Sequence, residues 1–178
     1  MESPSAELVE RLARVRLVAL DVDGTLTDGG VRYAGDQEQV RFCVRDGQGL
    51  VWLRRELGLE VAWITGRGCP AVERRAAELG VQHLVMRPAS KREALRAIQE
   101  QLGVGPDATL AMGDDLPDLG LAAGAAILCA PADARPEVRD RADLVTAARG
   151  GDGALREVAE ALLRAQGAWE RLLGQWSG

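Results

Sequence analysis

Short apolar segments alternate with amphipathic segments along most of the chain. The apolar segments have the length of buried strands and occupy residues 15–20, 60–65, 81–85, 109–112, 125–128 and 144–145. Helical spacing, an N-terminal proline or a terminating glycine predicts helices at 7–14, from about 49 to 57, and at 71–79, 89–102, 116–123, 135–141 and 154–166. This alternation predicts a Rossmann-like α/β fold, a parallel sheet with helices on both faces.

The interval after the first strand has a different pattern. Residues 31–33 and 38–42 are strand-like pieces around a Gly-Asp turn, which predicts a small β-hairpin at about 29–42. Because this hairpin directly follows the two aspartates at 21 and 23, it is placed to form a flap over a site. An ordinary surface hairpin accounts for the pattern equally well. No interval is long enough for a cap domain. We therefore expect one domain over residues 1–178, ending in a flexible Gly-rich junction and a C-terminal tail at about 150–178.

Composition narrows the class of protein. The 178 residues are 47% hydrophobic and 28% charged, as expected of a globular domain with a full core. A net charge of -5 without a Lys/Arg block argues against nucleic-acid binding. The absence of a membrane-length apolar run and of a signal peptide at residues 1–4 predicts a cytoplasmic protein without a membrane partner.

The cysteines and the histidine limit the available chemistry. Cys43, Cys69 and Cys129 are odd in number and lack metal-ligand spacing, so we expect reduced thiols. His83 is the one histidine of the sequence, and we expect it to be a strand residue rather than a ligand. A histidine-based triad or a multi-histidine zinc site is therefore disfavoured, and carboxylate chemistry is favoured.

Two aspartates follow the first predicted strand. Asp21 and Asp23 are two positions apart, so they face the same side of an extended segment, and Gly24 then turns the chain. Ligands of open α/β sheets bind beyond the carboxyl ends of the strands. Two carboxylates held together repel each other unless a cation or a proton lies between them. The pattern indicates a Mg²⁺ site with a carboxylate nucleophile.

Further polar residues follow other strands. Residues 113–118, Gly-Asp-Asp-Leu-Pro-Asp, place three carboxylates at the end of the fourth strand. We interpret Asp114 as a metal ligand, whereas Asp115 could equally cap a helix. Thr65 ends the second strand and could donate to a phosphate, although a simple turn explains it as well. Lys91 opens a helix, where a cation opposes the helix dipole, so it is a phosphate counter-charge or a solvated lysine.

Five motifs occur in an order typical of one family: Asp-Val-Asp-Gly-Thr-Leu-Thr-Asp-Gly (21–29), Phe-Cys-Val-Arg-Asp-Gly (42–47), Ile-Thr-Gly-Arg (64–67), Gly-Asp-Asp-Leu-Pro-Asp (113–118) and Gly-Gly-Asp-Gly-Ala-Leu-Arg-Glu (150–157). The first resembles the nucleophile motif of the haloacid dehalogenase superfamily of aspartate-nucleophile phosphatases. Together they resemble the capless 3-deoxy-D-manno-octulosonate 8-phosphate phosphatase family of lipopolysaccharide precursor synthesis. The resemblance covers nearly the whole chain.

The resemblance implies catalytic roles for individual residues. Asp21 would attack phosphorus and form an aspartyl-phosphate, and Asp23 would act as general acid and then as general base. Mg²⁺ would be held by the carboxylates of Asp21 and Asp114 and the backbone carbonyl of Asp23. Thr65 and Lys91 would bind the phosphoryl oxygens.

It also implies supporting and substrate-binding residues. Asp115 and Asp118 would not bind the metal directly but would support its water ligands and Lys91. The carboxylate and hydroxyls of a sugar acid would meet Val44, Arg45, Asp46, Gly47, Arg67 and Arg75. Relatives of this kind form homotetramers whose hairpins and tails complete neighbouring sites, which would compensate for the missing cap.

Three departures concern the substrate. Relatives usually have Asn at the place of Cys43, many have Arg at the place of Val51, and the approach to the motif lysine at residues 86–90 is altered. A nonulosonate 9-phosphate phosphatase or a broader sugar phosphatase is therefore an alternative. A non-catalytic, oligomerising phosphatase-like module is a second alternative, which retention of the charged residues disfavours.

Overall fold

The computed structural model describes residues 4–176, so the predictions for residues 1–3 and for the last two residues of the tail lie outside the described residues. The strands are β1 (Leu17–Leu20), β2 (Arg32–Ala34), β3 (Gln37–Gln39), β4 (Glu60–Thr65), β5 (His83–Met86), β6 (Thr109–Met112), β7 (Ile127–Ala130) and β8 (Leu144–Val145). The helices are α1 (Ala6–Leu12), α2 (Val44–Leu57), α3 (Pro70–Glu78), α4 (Lys91–Leu102), α5 (Leu119–Ala122), α6 (Pro136–Arg139), α7 (Ala154–Ala165) and α8 (Trp169–Gly174).

Six strands form one parallel sheet in the order β5-β4-β1-β6-β7-β8. Strand β1 lies in the middle, where Leu17 pairs with Glu60 of β4 on one side and with Thr109 of β6 on the other. The chain crosses from one side of β1 to the other between β5 and β6, so the carboxyl ends of β1, β4 and β6 flank a crevice. The predicted α/β fold is confirmed.

The sheet separates two apolar layers, as expected when both faces of a parallel sheet are buried. On one face, Val18 and Leu20 pack with Leu53 of α2 and Leu162 of α7. On the other face, Leu17 and Ala19 pack with side chains of α4, α5 and α6, namely Leu95, Ile98, Leu121 and Val138. Neighbouring residues of β1 thus serve opposite layers, which fixes the register of the strand beneath the site.

The predicted hairpin is present and stands apart from the main sheet. Strands β2 and β3 pair antiparallel, with Tyr33 opposite Glu38, and most of their side chains are exposed.

Within residues 4–176, no helix is both long enough and apolar enough to cross a membrane.

The C-terminal segment differs from the predicted tail. Helix α7 buries seven of its twelve residues, six of them in the main core, so it is part of the fold rather than an appendage. The junction before it is not a free linker either, because Asp46 of α2 accepts hydrogen bonds from the backbone N–H groups of Gly153 (3.2 Å) and Arg156 (2.8 Å). Helix α8 follows α7, and its Leu172 packs against Leu163 and Ala168.

Several predicted bounds also need correction. Helix α2 begins at Val44, several residues before the predicted start, because the loop that carries the Phe-Cys-Val-Arg-Asp-Gly motif is already helical. Strands β5 and β7 begin two residues later than predicted. The apolar residues before them belong to the connections that lead into the strands, where the Val81 N–H donates to the Ala76 carbonyl and the Ala126 N–H to the carbonyls of Pro106 and Thr109.

Candidate active site

Three strand ends and one helix start bring the predicted polar residues to one place. Asp21 and Asp23 follow β1, Thr65 ends β4, Asp114 follows β6, and Lys91 is the first residue of α4. Because these strands are adjacent and parallel, the residues at their carboxyl ends meet at the same edge of the sheet. The structure therefore brings together all five residues that were predicted to perform the chemistry.

Lys91 and two carboxylates form the buried centre of the site. The Lys91 Nζ donates to Asp21 Oδ1 at 2.5 Å and to Asp118 Oδ1 at 2.6 Å. Asp21 and Asp118 are 4% and 2% exposed. Ser90 caps α4 by accepting from the Glu93 backbone N–H, which starts the helix at Lys91. We name Lys91, Asp21, Asp118 and Asp114 together the acid–lysine centre.

Asp118 is held by the backbone as well as by the lysine. Its Oδ2 accepts from the backbone N–H groups of Asp114 (2.9 Å) and Asp115 (3.1 Å). Asp115 caps the following short 3-10 turn and accepts from the Leu116 N–H, so the two aspartates form a capping box. The capping alternative for Asp115 is thus realised, and Asp118 orients Lys91 directly.

Asp114 is placed by the loop that follows β1. Its Oδ1 accepts from the Thr25 hydroxyl at 3.1 Å. Gly24 has φ +97°, and a Cβ at this position would lie 2.3 Å from Asp114 Oδ2, so glycine alone fits here. The sequence prediction gave Thr25 no role. Its place directly after the Asp-Val-Asp-Gly run was the available signal.

Burial and mutual repulsion disturb the ionisation of this centre. Burial, and then the neighbouring Asp118 charge, raise the pKa of Asp21 well above its usual value, while Lys91 acts in the opposite direction. Burial and Asp118 likewise raise the pKa of Asp114 to about 6, against the hydrogen bond from Thr25. Burial opposes the charge of Lys91 too, but Asp21 and Asp118 outweigh it and raise the pKa of the ammonium group.

The three carboxylates suit a hard divalent cation. Asp21, Asp114 and Asp118 each offer an oxygen, and these oxygens all lie within 4.8 Å of one another. One ammonium group faces three carboxylates, so a repulsion between them remains, and the charge of Asp118 adds to the larger effect of burial in raising the pKa values of Asp21 and Asp114. A second cation would relieve it, and carboxylate oxygens are the ligands that Mg²⁺ prefers. The donor set therefore fits a magnesium ion.

Asp23 belongs to a second, more open set of contacts. Its Oδ2 accepts from the Thr65 hydroxyl at 2.7 Å, and Thr65 Oγ1 in turn accepts from the Arg67 backbone N–H at 3.0 Å. The Arg67 guanidinium lies 3.9 Å from Asp23 Oδ1 and donates to Glu38 of the hairpin at 3.1 Å. The hairpin therefore contacts the site through Arg67, a connection that the sequence pattern did not reveal.

The remaining predicted substrate residues have other contacts in the structure. Asp46 is buried, and burial raises its pKa, while its oxygens accept from two N–H groups at the start of α7. The Arg75 guanidinium packs against Gly47 and donates to Glu78. Val44 is 78% exposed, and Arg45 lies 3.7 Å from Asp152. Their roles in binding stay predictions, and the use of Asp46 as a cap gives its role no support.

The Gly-rich segment before α7 packs on the catalytic loop. A Cβ on Gly150 would lie 1.7 Å from the Gly24 carbonyl oxygen, and the Gly151 N–H donates to the Thr25 carbonyl at 3.0 Å. Asp133 holds this segment by accepting from the Gly150 N–H at 2.9 Å. These residues position the loop that carries Asp23 and Gly24, and their spacing alone gave no sign of it.

Comparison with known proteins gives consistent matches. Residues 79–158 match the model of a haloacid dehalogenase-like hydrolase family. The chain is 40% identical over 172 residues to the 3-deoxy-D-manno-octulosonate 8-phosphate phosphatase of Escherichia coli (strain K12), covering 96% of this chain and 91% of that protein. A hypothetical protein of Xanthomonas campestris has a TM-score of 0.94 at 41% identity, with 100% and 97% of the two chains covered. The 3-deoxy-D-manno-octulosonate 8-phosphate phosphatase of Moraxella catarrhalis, in complex with a magnesium ion, a phosphate ion and KDO, has a TM-score of 0.92 at 35% identity, with 96% and 98% covered.

Proposed function

The chain belongs to the 3-deoxy-D-manno-octulosonate 8-phosphate phosphatase family of haloacid dehalogenase-like hydrolases, and we propose that it hydrolyses the phosphate monoester of that keto-deoxy sugar acid through an aspartyl-phosphate. The observation that carries the proposal is the acid–lysine centre. It places a buried aspartate in contact with an ammonium group at the crevice where a parallel sheet binds its ligands.

Asp21 is the nucleophile. Its carboxylate attacks phosphorus in line with the leaving sugar oxygen, forms an acyl phosphate and releases the sugar alkoxide. The hydrogen bond from Lys91 fixes the direction of the carboxylate and favours its ionised form. The ammonium group also lies where the negative charge of the transferring phosphoryl group gathers, so it stabilises the transition state.

Asp23 is the general acid and general base of the reaction. As an acid it gives a proton to the departing sugar oxygen, and as a base it then takes a proton from the water that hydrolyses the acyl phosphate. The Thr65 hydroxyl donates to Asp23 and holds it beside Asp21. To bind a phosphoryl oxygen, the role predicted from its place at the end of β4, Thr65 would turn its one hydroxyl hydrogen from Asp23 to that oxygen.

The carboxylates of Asp21 and Asp114, two of the three that converge in the acid–lysine centre, would hold a magnesium ion, with the backbone carbonyl of Asp23 as the third protein ligand. When bound, the ion neutralises charge on the transferring phosphoryl group. Thr25 and Gly24 hold Asp114 at the required place, the first by its hydroxyl and the second by leaving room for the carboxylate.

The proposed assembly is a homotetramer and the proposed location is the cytoplasm. A homotetramer, in which hairpins cover neighbouring sites, is consistent with a hairpin that stands apart from the sheet and exposes Tyr33. The cytoplasm is the location expected for a phosphatase that acts on a phosphorylated biosynthetic precursor. Sedimentation of the purified protein tests the assembly.

Phosphate release from a panel of sugar phosphates tests the function. The panel contains 3-deoxy-D-manno-octulosonate 8-phosphate, nonulosonate 9-phosphates and simple hexose phosphates, each with Mg²⁺ and with a chelator. We expect a strong preference for the octulosonate that disappears without Mg²⁺. A preference for another sugar phosphate would keep the mechanism and change the substrate. No hydrolysis of any compound would favour the non-catalytic module.

A further inference from the structure

A cavity of about 490 Å³ lies between the hairpin and the start of α3, on the Arg67 side of the candidate site. Its lining includes Asp36 and Glu38 of the hairpin on one side and Gly68, Arg74 and Arg87 on the other. It connects to the site through Arg67, which precedes Gly68, contacts Glu38 and lies 3.9 Å from Asp23. A volume of this size suits a small-molecule ligand.

We infer that this cavity, which we name the hairpin cavity, takes the carboxylate-bearing end of the sugar acid, and that Arg87 recognises the carboxylate. The inference rests on the proposed function. It assigns a specificity-determining role to a residue in the segment between β5 and Lys91.

The backbone of Arg87 is held in an unusual conformation. Its φ is 54°, and it is the one non-glycine residue with a positive φ in the part of the chain that the structure describes. Its N–H donates to the Thr65 carbonyl at 2.8 Å, and its guanidinium donates to the Gly68 carbonyl at 3.0 Å. A conformation that side chains rarely adopt persists where the surroundings fix it, and such positions concentrate at binding sites. Both contacts hold Arg87 over the cavity.

Of the three arginines at the hairpin cavity, Arg67, Arg74 and Arg87, only Arg87 has no acidic partner among the described residues. Arg67 pairs with Glu38 at 3.1 Å and Arg74 with Glu78 at 3.3 Å. Arg87 has no carboxylate within salt-bridge distance among residues 4–176. A guanidinium that is anchored through one nitrogen and lacks an acidic partner offers its remaining N–H groups to a planar carboxylate.

The opposite wall of the cavity suits the rest of the molecule. Asp36, Gln37 and Glu38 place carboxylate and amide oxygens there, which accept hydrogen bonds from sugar hydroxyls. The two acidic side chains repel a substrate carboxylate, so they favour the orientation in which it points away from the hairpin. The cavity thereby distinguishes the acid end of the substrate from its hydroxyls.

Replacing Arg87 by glycine tests the inference. Glycine adopts φ 54° without strain, so Arg87→Gly removes the guanidinium while keeping the turn, and the urea unfolding midpoint checks this. The measurement is kcat/KM for 3-deoxy-D-manno-octulosonate 8-phosphate and for its C1 carboxamide. We expect the preference for the carboxylate to fall about tenfold, mainly through KM, as for a lost charge-assisted hydrogen bond. Arg87→Lys restores part of it.

Arg92→Ala is the matched control, because it removes the same charge five positions away and outside the cavity lining. This variant keeps the preference. An Arg87→Gly variant that also keeps it would overturn the assignment of Arg87. A wild-type enzyme that hydrolyses neither compound would instead overturn the proposed function, and with it the inference.

Discussion

The acid–lysine centre and the hairpin cavity lie side by side but are built differently. In the centre, Asp21 and Asp118 are almost fully buried, and each contacts the same ammonium group at 2.5 to 2.6 Å. In the cavity, the Arg67–Glu38 pair is partly exposed, and Asp36 and Arg87 are exposed side chains. The centre holds its charged groups in buried contacts with one another, whereas the cavity holds Arg87 through backbone carbonyls and leaves the rest of its guanidinium facing solvent.

The difference separates chemistry from specificity. Phosphoryl transfer needs charges held at fixed places, and burial between β1, β4 and β6 supplies that. Recognition of one sugar acid among many depends on a few solvent-facing groups that substitutions change at little cost to stability. One chain can therefore retain the catalytic residues of a family while altering the residues that choose the substrate.

The largest effect on the free energy of unfolding is expected for Asp118→Ala. This substitution removes one of the two partners of Lys91 and leaves the N–H groups of Asp114 and Asp115 without their acceptor. We expect a loss of about 3 kcal/mol in the free energy of unfolding, and at least about a tenfold loss in kcat. Urea unfolding and steady-state kinetics measure both.

Asp115→Ala is the control for this prediction. Asp115 is exposed and caps the same turn, so its loss should cost about 1 kcal/mol and spare the contacts of Lys91. Equal effects of the two substitutions would mean that Asp118 acts as a helix cap alone.

A smaller effect is expected from pH in the metal-free protein. The folded pKa of Asp114 is about 6, above its ordinary value of 3.8, so the folded state binds the proton more tightly than the unfolded state. The stabilisation is present at low pH and is lost as the pH rises through 6. Unfolding at pH 5 and pH 7 without Mg²⁺ should therefore show a contribution on the order of 1 kcal/mol in favour of pH 5.

Magnesium should change this pH dependence. The ion needs the ionised carboxylates, so it should stabilise the protein more at pH 7 than at pH 5. Asp114→Asn, which cannot ionise, serves as the comparison and should lose the part of the pH dependence that Asp114 contributes, while the part that comes from Asp21 stays. A stabilisation by Mg²⁺ that is equal at both pH values would contradict the assignment of Asp114 as a ligand.

The smallest effect is expected for Glu38→Gln. The pair with Arg67 lies in the open region, so its loss should change the free energy of unfolding by less than about 0.5 kcal/mol. We expect kcat for the sugar acid phosphate to change less than threefold. Arg96→Gln, which breaks two exposed pairs on α4, gives the scale for a purely superficial pair. A tenfold loss of kcat in Glu38→Gln would place the hairpin within the catalytic centre.

The sequence predicted the fold and the catalytic cluster well for a shared physical reason. Buried strands are continuous apolar runs, and the residues that follow them must meet at one edge of the sheet. Asp21, Thr65 and Asp114 were therefore placed together by chain order alone, and the structure brings them together. Their roles in catalysis stay predictions.

Contacts between segments that are distant in the sequence could not be predicted from the pattern of apolar and polar residues. The contact of Asp46 with substrate stays a prediction, and its observed contact, accepting from the backbone N–H of Gly153 107 residues later, was not foreseen. The Gly150–Gly24 approach and the Glu38–Arg67 pair likewise join segments whose local patterns carry no sign of each other. Such contacts depend on how helices and loops pack over the sheet, which periodicity does not determine.

Identification of the phosphorylated residue tests the central claim most directly. During turnover of 3-deoxy-D-manno-octulosonate 8-phosphate, quenching with acid and reducing with borohydride converts an aspartyl-phosphate into homoserine, which peptide mass spectrometry locates. We expect homoserine at position 21, and none in an Asp21→Asn variant, which should be folded and inactive. Homoserine at another aspartate, or sustained hydrolysis by Asp21→Asn, would contradict the account.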